Sequence, residues 1–321
     1  MNERKHILVT GGAGFIGSHL VERLLRAGKR VVVIDDLSTG SQENLRACAA
    51  LPGLEFIHSR ICDCTRLPEL AAEAEFIYHL AATVGVELVV KSALHVLESS
   101  FYETQLLLQA AVTGQTPLLL TSTSEVYGKS QKPAFSEEDD LLIGPPGQSR
   151  WSYACAKLTD EFLALAYSRE KGLPVVIARL FNTVGPRQTG RFGMVLPRFI
   201  ASAKAGESLR VYGDGAQTRC FCLVTDVVES MVRLQNNPAT RGEIFNIGGT
   251  EEISILQLAQ LVVETLRSSS RIELIPYDQA YAPGFDDMRR RKPLVEKLER
   301  FVQFHPQTTL REIIRVTAEG R

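Results

Sequence analysis

The chain has no excess of either charge: 36 Lys and Arg stand against 37 Asp and Glu, for a formal net charge of −1 over 321 residues. A nucleic-acid partner, which needs a basic footprint, is therefore not expected. No segment approaches the roughly 18 apolar residues of a membrane span, so no membrane partner is expected either. The opening Met-Asn-Glu-Arg-Lys leads directly into His6–Thr10, an apolar run far too short for a secretory leader. Six cysteines over this length are too sparse for a disulfide framework. Cys62-Asp63-Cys64 and Cys220-Phe221-Cys222 leave one residue between thiols, where structural zinc sites leave at least two. Reduced thiols and no metal are the expectation, and the cytoplasm is the expected location. No internal repeat or low-complexity tract appears. What is present is 45% hydrophobic residues, enough to bury a large core.

In the N-terminal half, short apolar runs alternate with amphipathic stretches. His6–Thr10, Arg30–Ile34, Leu54–His58, Phe76–Ala81, Pro117–Thr121 and Val175–Leu180 read as strands. Ser18–Ala27, Leu94–Thr113 and Ser152–Lys171 read as helices. Such alternation predicts an α/β protein with a Rossmann-type, doubly wound parallel sheet. After Phe181, turns such as Gly185-Pro186, Gly213-Asp214-Gly215 and Gly248-Gly249 separate shorter elements. These predict a smaller C-terminal α/β substrate lobe made of 182–219 and 248–321. The segment 220–247, and Phe221–Met231 in particular, is expected to return to the first domain, 1–181.

Gly11-Gly12-Ala13-Gly14-Phe15-Ile16-Gly17 follows the first strand and opens the first helix. A glycine turn can serve packing alone. In this position it also lets backbone approach a pyrophosphate, whose charge the helix N-terminus stabilises. Gly11, Gly14 and Gly17 are the candidate cofactor glycines. Asp35, ending the second strand, can accept from ribose hydroxyls, and with Asp36 it would repel a 2′-phosphate. NAD is therefore favoured over NADP.

Leu120-Thr121-Ser122-Thr123-Ser124-Glu125-Val126-Tyr127-Gly128 and Tyr153-Ala154-Cys155-Ala156-Lys157 supply a hydroxyl, a carboxylate, a phenol and an ammonium. A tyrosine can act as a general base when a nearby cation lowers its pKa, and a lysine one helical turn on can be that cation. Glu125 adds a second base, which simple alcohol oxidation would not need. Oxidation followed by a further step is the chemistry these groups suggest.

Together with HLAA (His79–Ala82), RLFNTVGPRQ (Arg179–Gln188), VYGDGAQTR (Val211–Arg219) and RRRKP (Arg289–Pro293), these motifs resemble the extended short-chain dehydrogenase/reductase family of NAD-dependent nucleotide-sugar epimerases, dehydratases and decarboxylases. The resemblance spans nearly the whole chain. It implies that Tyr153 takes the proton of the sugar 4-hydroxyl, that Lys157 holds the nicotinamide ribose and lowers the phenol pKa, and that Thr123 bonds the reacting oxygen. Glu125 would then take the C5 proton beside a transient 4-ketone. The same resemblance adds Phe15, Ile16, Ser38, Gly40, Ile61, Leu80, Ala81 and Ala82 to the cofactor contacts. It assigns Thr83, Asn182, Val195, Tyr212, Arg219 and Arg291 to the substrate, a UDP-linked hexose. One arginine of Arg289–Arg291 is expected inward and the others outward.

Three positions depart from the pattern. Ser124 stands where many 4,6-dehydratases carry an acidic aspartate, Arg60 where an aspartate commonly faces the adenine, and Ser100 where an asparagine is usual. Thr83-Val84-Gly85-Val86 also lacks the proline-rich loop of UDP-glucuronate decarboxylases. The reaction expected from the resemblance is a lyase reaction, UDP-sugar dehydration through a 4-keto intermediate. One form of it is the 5,6-dehydration of UDP-N-acetylglucosamine known from antibiotic biosynthesis. UDP-glucuronate decarboxylation, UDP-hexose 4-epimerisation and a non-catalytic NAD-binding role are the alternatives. Family members commonly pair through two long helices, so a homodimer through Leu94–Thr113 and Ser152–Lys171 is implied.

Overall fold

Strands β1 (His6–Thr10) and β2 (Val31–Asp35) are buried along their whole length. Unbroken burial of this kind arises when helices cover both faces of a parallel sheet. The computed structural model describes residues 6–82, 92–149, 151–189, 194–276 and 288–320. Within it, β1 and β2 join β3 (Leu54–His58), β4 (Ala74–His79), β5 (Leu118–Thr123), β6 (Val175–Leu180) and β11 (Ile244–Ile247). The sheet order is β11-β6-β5-β4-β1-β2-β3, and every neighbouring pair is parallel.

Alternate residues of each strand feed opposite layers. Ile7 and Val9 pack with Leu20 and Val21 of α1 (Phe15–Arg26), Val227 and Met231 of α6 (Val224–Asn236), and Leu298 of α8 (Glu296–Val302). Leu8 packs on the other face with Leu70 of α2 (Leu67–Glu73), Leu107 of α3 (Ala93–Gly114) and Ala164 of α4 (Trp151–Lys171). Each fully buried aliphatic side chain contributes about 1.5–3 kcal/mol, so two such layers fix the register of the central strands.

Several boundaries differ from the sequence reading for local reasons. Helix α1 begins at Phe15, not Ser18, because extended Gly14 is its N-cap, so the glycine turn joins the helix directly. Strand β5 runs on to Thr123 because Thr121, Ser122 and Thr123 still pair with Ala178, Arg179 and Leu180. Ser124–Tyr127 then forms one 3-10 turn, with Thr123 Oγ1 accepting from the Glu125 N–H at 3.2 Å. Phe221–Met231 packs on the main sheet from one face, with Val224, Val227, Val228 and Met231 against Ile7, Val9, Phe245 and Ile247. Cys222–Leu223 (β10) pairs with Thr183–Val184 (β7), and α6 follows, burying Val224, Val227, Val228 and Met231 at helical spacing. The strand that joins the sheet is β11.

A second core lies in the C-terminal part, among α5 (Val195–Ala205), β8 (Leu209–Tyr212), α7 (Ile255–Leu266) and α9 (Leu310–Glu319). It contains Phe199, Val211, Leu258 and Ile313. Strand β13 (Ile272–Ile275) runs parallel to β8, and β12 (Glu252–Ser254) antiparallel to β9 (Thr218–Cys220). In the main sheet the order of connection reverses between β1 and β4. In such sheets ligands bind beyond the carboxyl ends of the strands at that reversal.

Candidate active site

Gly11 ends β1 with φ +72, and a Cβ there would lie 2.7 Å from the Ala81 nitrogen, past the end of β4. At Gly17 it would lie 2.1 Å from the Gly11 carbonyl oxygen, and at Gly40 2.9 Å from that of Ala13. No side chain fits at these places, so bare backbone lines the reversal point. The N–H groups of Phe15, Ile16 and Gly17 open α1 and have no carbonyl to bond within the helix, which leaves them for an anion. Asp35 Oδ2 accepts from the Ala13 N–H and Oδ1 from the Leu37 N–H, both at 2.8 Å, tying the end of β2 to the glycine turn. Burial raises its carboxyl above the usual range. Asp36 is exposed and accepts from the Ser38 N–H at 2.9 Å. Ile61 is buried in a short 3-10 turn, and Leu80, Ala81 and Ala82 continue from β4. Glycine turn, helix N-terminus and carboxylate together fit a dinucleotide.

His79, buried at the end of β4, is held between Thr10 Oγ1 at 2.7 Å and Thr104 Oγ1 at 3.0 Å. Burial, helped by Lys157, pushes its pKa down to about 3, so the ring is neutral at ordinary pH. Thr10 Oγ1 also accepts from the Ala81 N–H at 3.4 Å. This triad anchors the floor of the dinucleotide cleft. The histidine's part in it was not apparent in the sequence, where HLAA served only as a motif.

Tyr153 and Lys157 share one face of α4, a single turn apart. Tyr153 packs against Val96 of α3. Lys157 is buried, and its Nζ donates to Asp160 Oδ2 at 3.0 Å. The lowered phenol pKa expected from Lys157 is not found. Burial, with Glu125 and Asp160 adding to it, holds the Tyr153 phenol above its usual range. The largest cause is burial of the phenol itself, and Asp160, which Lys157 contacts, adds to it. Thr123 stands at the end of β5, Ser124 is buried behind it, and Glu125 is partly exposed.

Arg291 turns inward: its Nη1 donates to Glu125 Oε1 at 2.6 Å and its Nη2 to Asn182 Oδ1 at 3.1 Å. Arg290 is half-exposed and pairs with Glu252 at 2.6 Å, while Arg289 is exposed. Asn182 also donates through Nδ2 to the Cys220 carbonyl at 3.0 Å. Arg219 is buried, with Nη1 donating to the Thr218 carbonyl at 2.8 Å. Val195 opens α5, and Tyr212 on β8 carries the guanidinium of Arg198 4.8 Å above its ring centre. Thr83 lies outside the described residues. The structure thus brings Glu125, Asn182 and Arg291 into one cluster at the carboxyl end of the sheet, with Tyr153 and Lys157 one turn apart on α4.

Residues 7–248 match the model of the NAD dependent epimerase/dehydratase family. The chain belongs to that family. Its cofactor is NAD, and its fold is that of the extended short-chain dehydrogenases/reductases. Among curated relatives, the UDP-N-acetyl-alpha-D-glucosaminuronate decarboxylase of Bacillus cytotoxicus is 40% identical over 317 residues, covering 98% of this chain and 97% of its own. DesIV, a dTDP-glucose 4,6-dehydratase of Streptomyces venezuelae solved with NAD, superposes with a TM-score of 0.87 at 30% identity, covering 98% of this chain and 96% of its own. The UDP-glucuronic acid 4-epimerase of Bacillus cereus, solved with UDP-glucuronic acid and NAD, gives 0.88 at 29%, covering 98% of each chain. Decarboxylase, dehydratase and epimerase therefore all stand among its relatives.

Proposed function

We propose that this protein is an NAD-dependent UDP-sugar decarboxylase acting on a UDP-hexuronate, with UDP-N-acetylglucosaminuronate as the first candidate. The observation that carries this reading is the Arg291 guanidinium, held beside Glu125 and Asn182 at the end of β5. A planar, permanently charged fork suits a carboxylate on the substrate sugar. The similarity to the Bacillus cytotoxicus decarboxylase supports the same choice. Decarboxylation also fits what the site lacks. Dehydration needs an acid to protonate the departing hydroxyl, and Ser124 has no acidic proton to give. Abstraction of the C5 proton by Glu125 would require its pair with Arg291 to open first.

Bound NAD supplies a hydride acceptor, and later a hydride donor, at C4 of the sugar. Tyr153 takes the proton of the 4-hydroxyl, Thr123 donates to the same oxygen, and Lys157 holds the cofactor ribose. With C4 a ketone, the C6 carboxylate belongs to a β-keto acid. The C5–C6 bond breaks, its electron pair moves to the C4 oxygen, and carbon dioxide leaves. Donation from Tyr153 and Thr123 stabilises the resulting enolate, and C5 then takes up one proton from solvent.

The test is incubation with NAD and, separately, UDP-N-acetylglucosaminuronate, UDP-glucuronate and UDP-N-acetylglucosamine in deuterated water. Carbon dioxide should be released from a uronate, with one deuterium at C5 of the product. Glu125→Gln should retain decarboxylation within about tenfold, or ~1.4 kcal/mol in barrier. Water loss from UDP-N-acetylglucosamine, with no carbon dioxide from either uronate, would establish the dehydratase instead.

A further inference from the structure

Lys157 is one member of a column. Tyr153, Lys157 and Asp160 stand at i, i+4 and i+7 on one face of α4, so phenol, ammonium and carboxylate follow one another over two turns. Asp160 is fully buried, and its Oδ2 receives both Lys157 Nζ at 3.0 Å and, from α3, Ser100 Oγ at 2.7 Å. Its other oxygen, Oδ1, is buried with no hydrogen-bond partner among the described residues. A buried carboxylate half of which is unpartnered is costly to keep for packing alone. Two donors, Lys157 and Ser100, converging on one buried carboxylate oxygen two helical turns from the phenol indicate a role in setting charge there.

Resting on the assignment of Tyr153 and Lys157 above, we propose that Asp160 is a positioning residue for catalysis. Its carboxylate tethers the Lys157 ammonium and limits how much positive charge the Tyr153 phenol feels, and Ser100 tunes this by competing for the same oxygen. Two further titratable groups among the described residues bear on this column. His79, from β4, is neutral at ordinary pH. From the 3-10 turn after β5 comes Glu125, whose charge is met by Arg291. Asp160 is therefore an anion on α4 whose removal shifts the balance at the phenol toward the ionised form, opposite to the direction in which it and Glu125 now hold that phenol protonated.

Asp160→Asn keeps the shape and removes the charge. In the cofactor-free protein, tyrosinate absorbance in the ultraviolet, read as a difference against Tyr153→Phe, should rise at a pH about one unit or more lower than in the unsubstituted chain. The acid limb of kcat/KM should move down equally, about tenfold in rate at a pH below the limb. Ser100→Ala, which frees Oδ2 for Lys157 alone, should move the acid limb up by a smaller amount. An unchanged tyrosinate titration in Asp160→Asn, or a uniform loss of activity with no shift of the limb, overturns the proposal. Should Asp160→Asn fail to fold, Ser100→Ala decides, and a limb that does not move overturns it. The phenol titration uses neither substrate nor cofactor, so its outcome is independent of whether the enzyme is a decarboxylase.

Discussion

His79 carries a stability argument that concerns one proton. Its pKa falls from an ordinary 6.5 to about 3 in the folded chain because burial disfavours the charged ring and Lys157 repels it. The folded value is the lower one, so between these limits the unfolded chain binds the extra proton. Stability should therefore fall as pH drops below about 6.5, by up to ~1.4 kcal/mol per pH unit from this residue. Denaturant unfolding at a series of pH values checks this. His79→Asn, which retains a polar group for Thr10 or Thr104, should be less stable at neutral pH but should lose about 1.4 kcal/mol less for each unit of acidification. Curves for the two chains that run parallel would show that His79 is not the titrating group.

At the scale of elements, the end of β5 is held by a buried network. Ser122 Oγ donates to Glu161 of α4, and Arg179 of β6 donates to Glu161 through Nε at 3.0 Å and Nη2 at 2.8 Å. Arg179 Nη1 also reaches Tyr127 Oη at 3.1 Å, and Tyr127 donates to Asn246 of β11 at 2.7 Å. Removing one partner leaves the other charge buried, so Glu161→Ala should cost about 3–5 kcal/mol in denaturant unfolding. A cost below about 1 kcal/mol, the range of an exposed pair, would mean that water replaces the carboxylate. This network also marks the limit of what the sequence could reveal. Strand periodicity, the glycine turn and the Tyr153–Lys157 spacing are local patterns, and they were legible. The pairing of Ser100 with Asp160, of Arg179 with Glu161 and of Arg291 with Glu125 joins residues far apart in the chain. Only topology brings them together. That Phe221–Met231 meets the main sheet mostly as a helix has the same origin, since an apolar run beside a sheet serves equally as strand or helix until its neighbours are known.

For the molecule as a whole, the uncovered surface to explain is on α3 and α4. Leu94, Leu97 and Phe101 are exposed along α3 at spacings of three and four residues, so that they form one stripe, and exposed Tyr102 lies beside Phe101. Phe162 is 64% exposed on the adjacent helix α4. Scattered apolar residues on a surface need no account, but an aromatic stripe over two packed helices does. These helices also carry Tyr153, Lys157 and Ser100, so what covers them bears on the rigidity of the site. We propose that the cover is a second copy of this chain, its α3 and α4 packing on the same pair to form a four-helix interface with two-fold symmetry. Sedimentation at micromolar concentration should then give a dimer, and Phe162→Glu, which places a charge in the middle of that interface, should give a monomer. The monomer should also melt at a lower temperature, because association stabilises the folded state by mass action. A monomeric unsubstituted chain, or a dimer unaffected by Phe162→Glu, would place the partner of this stripe elsewhere.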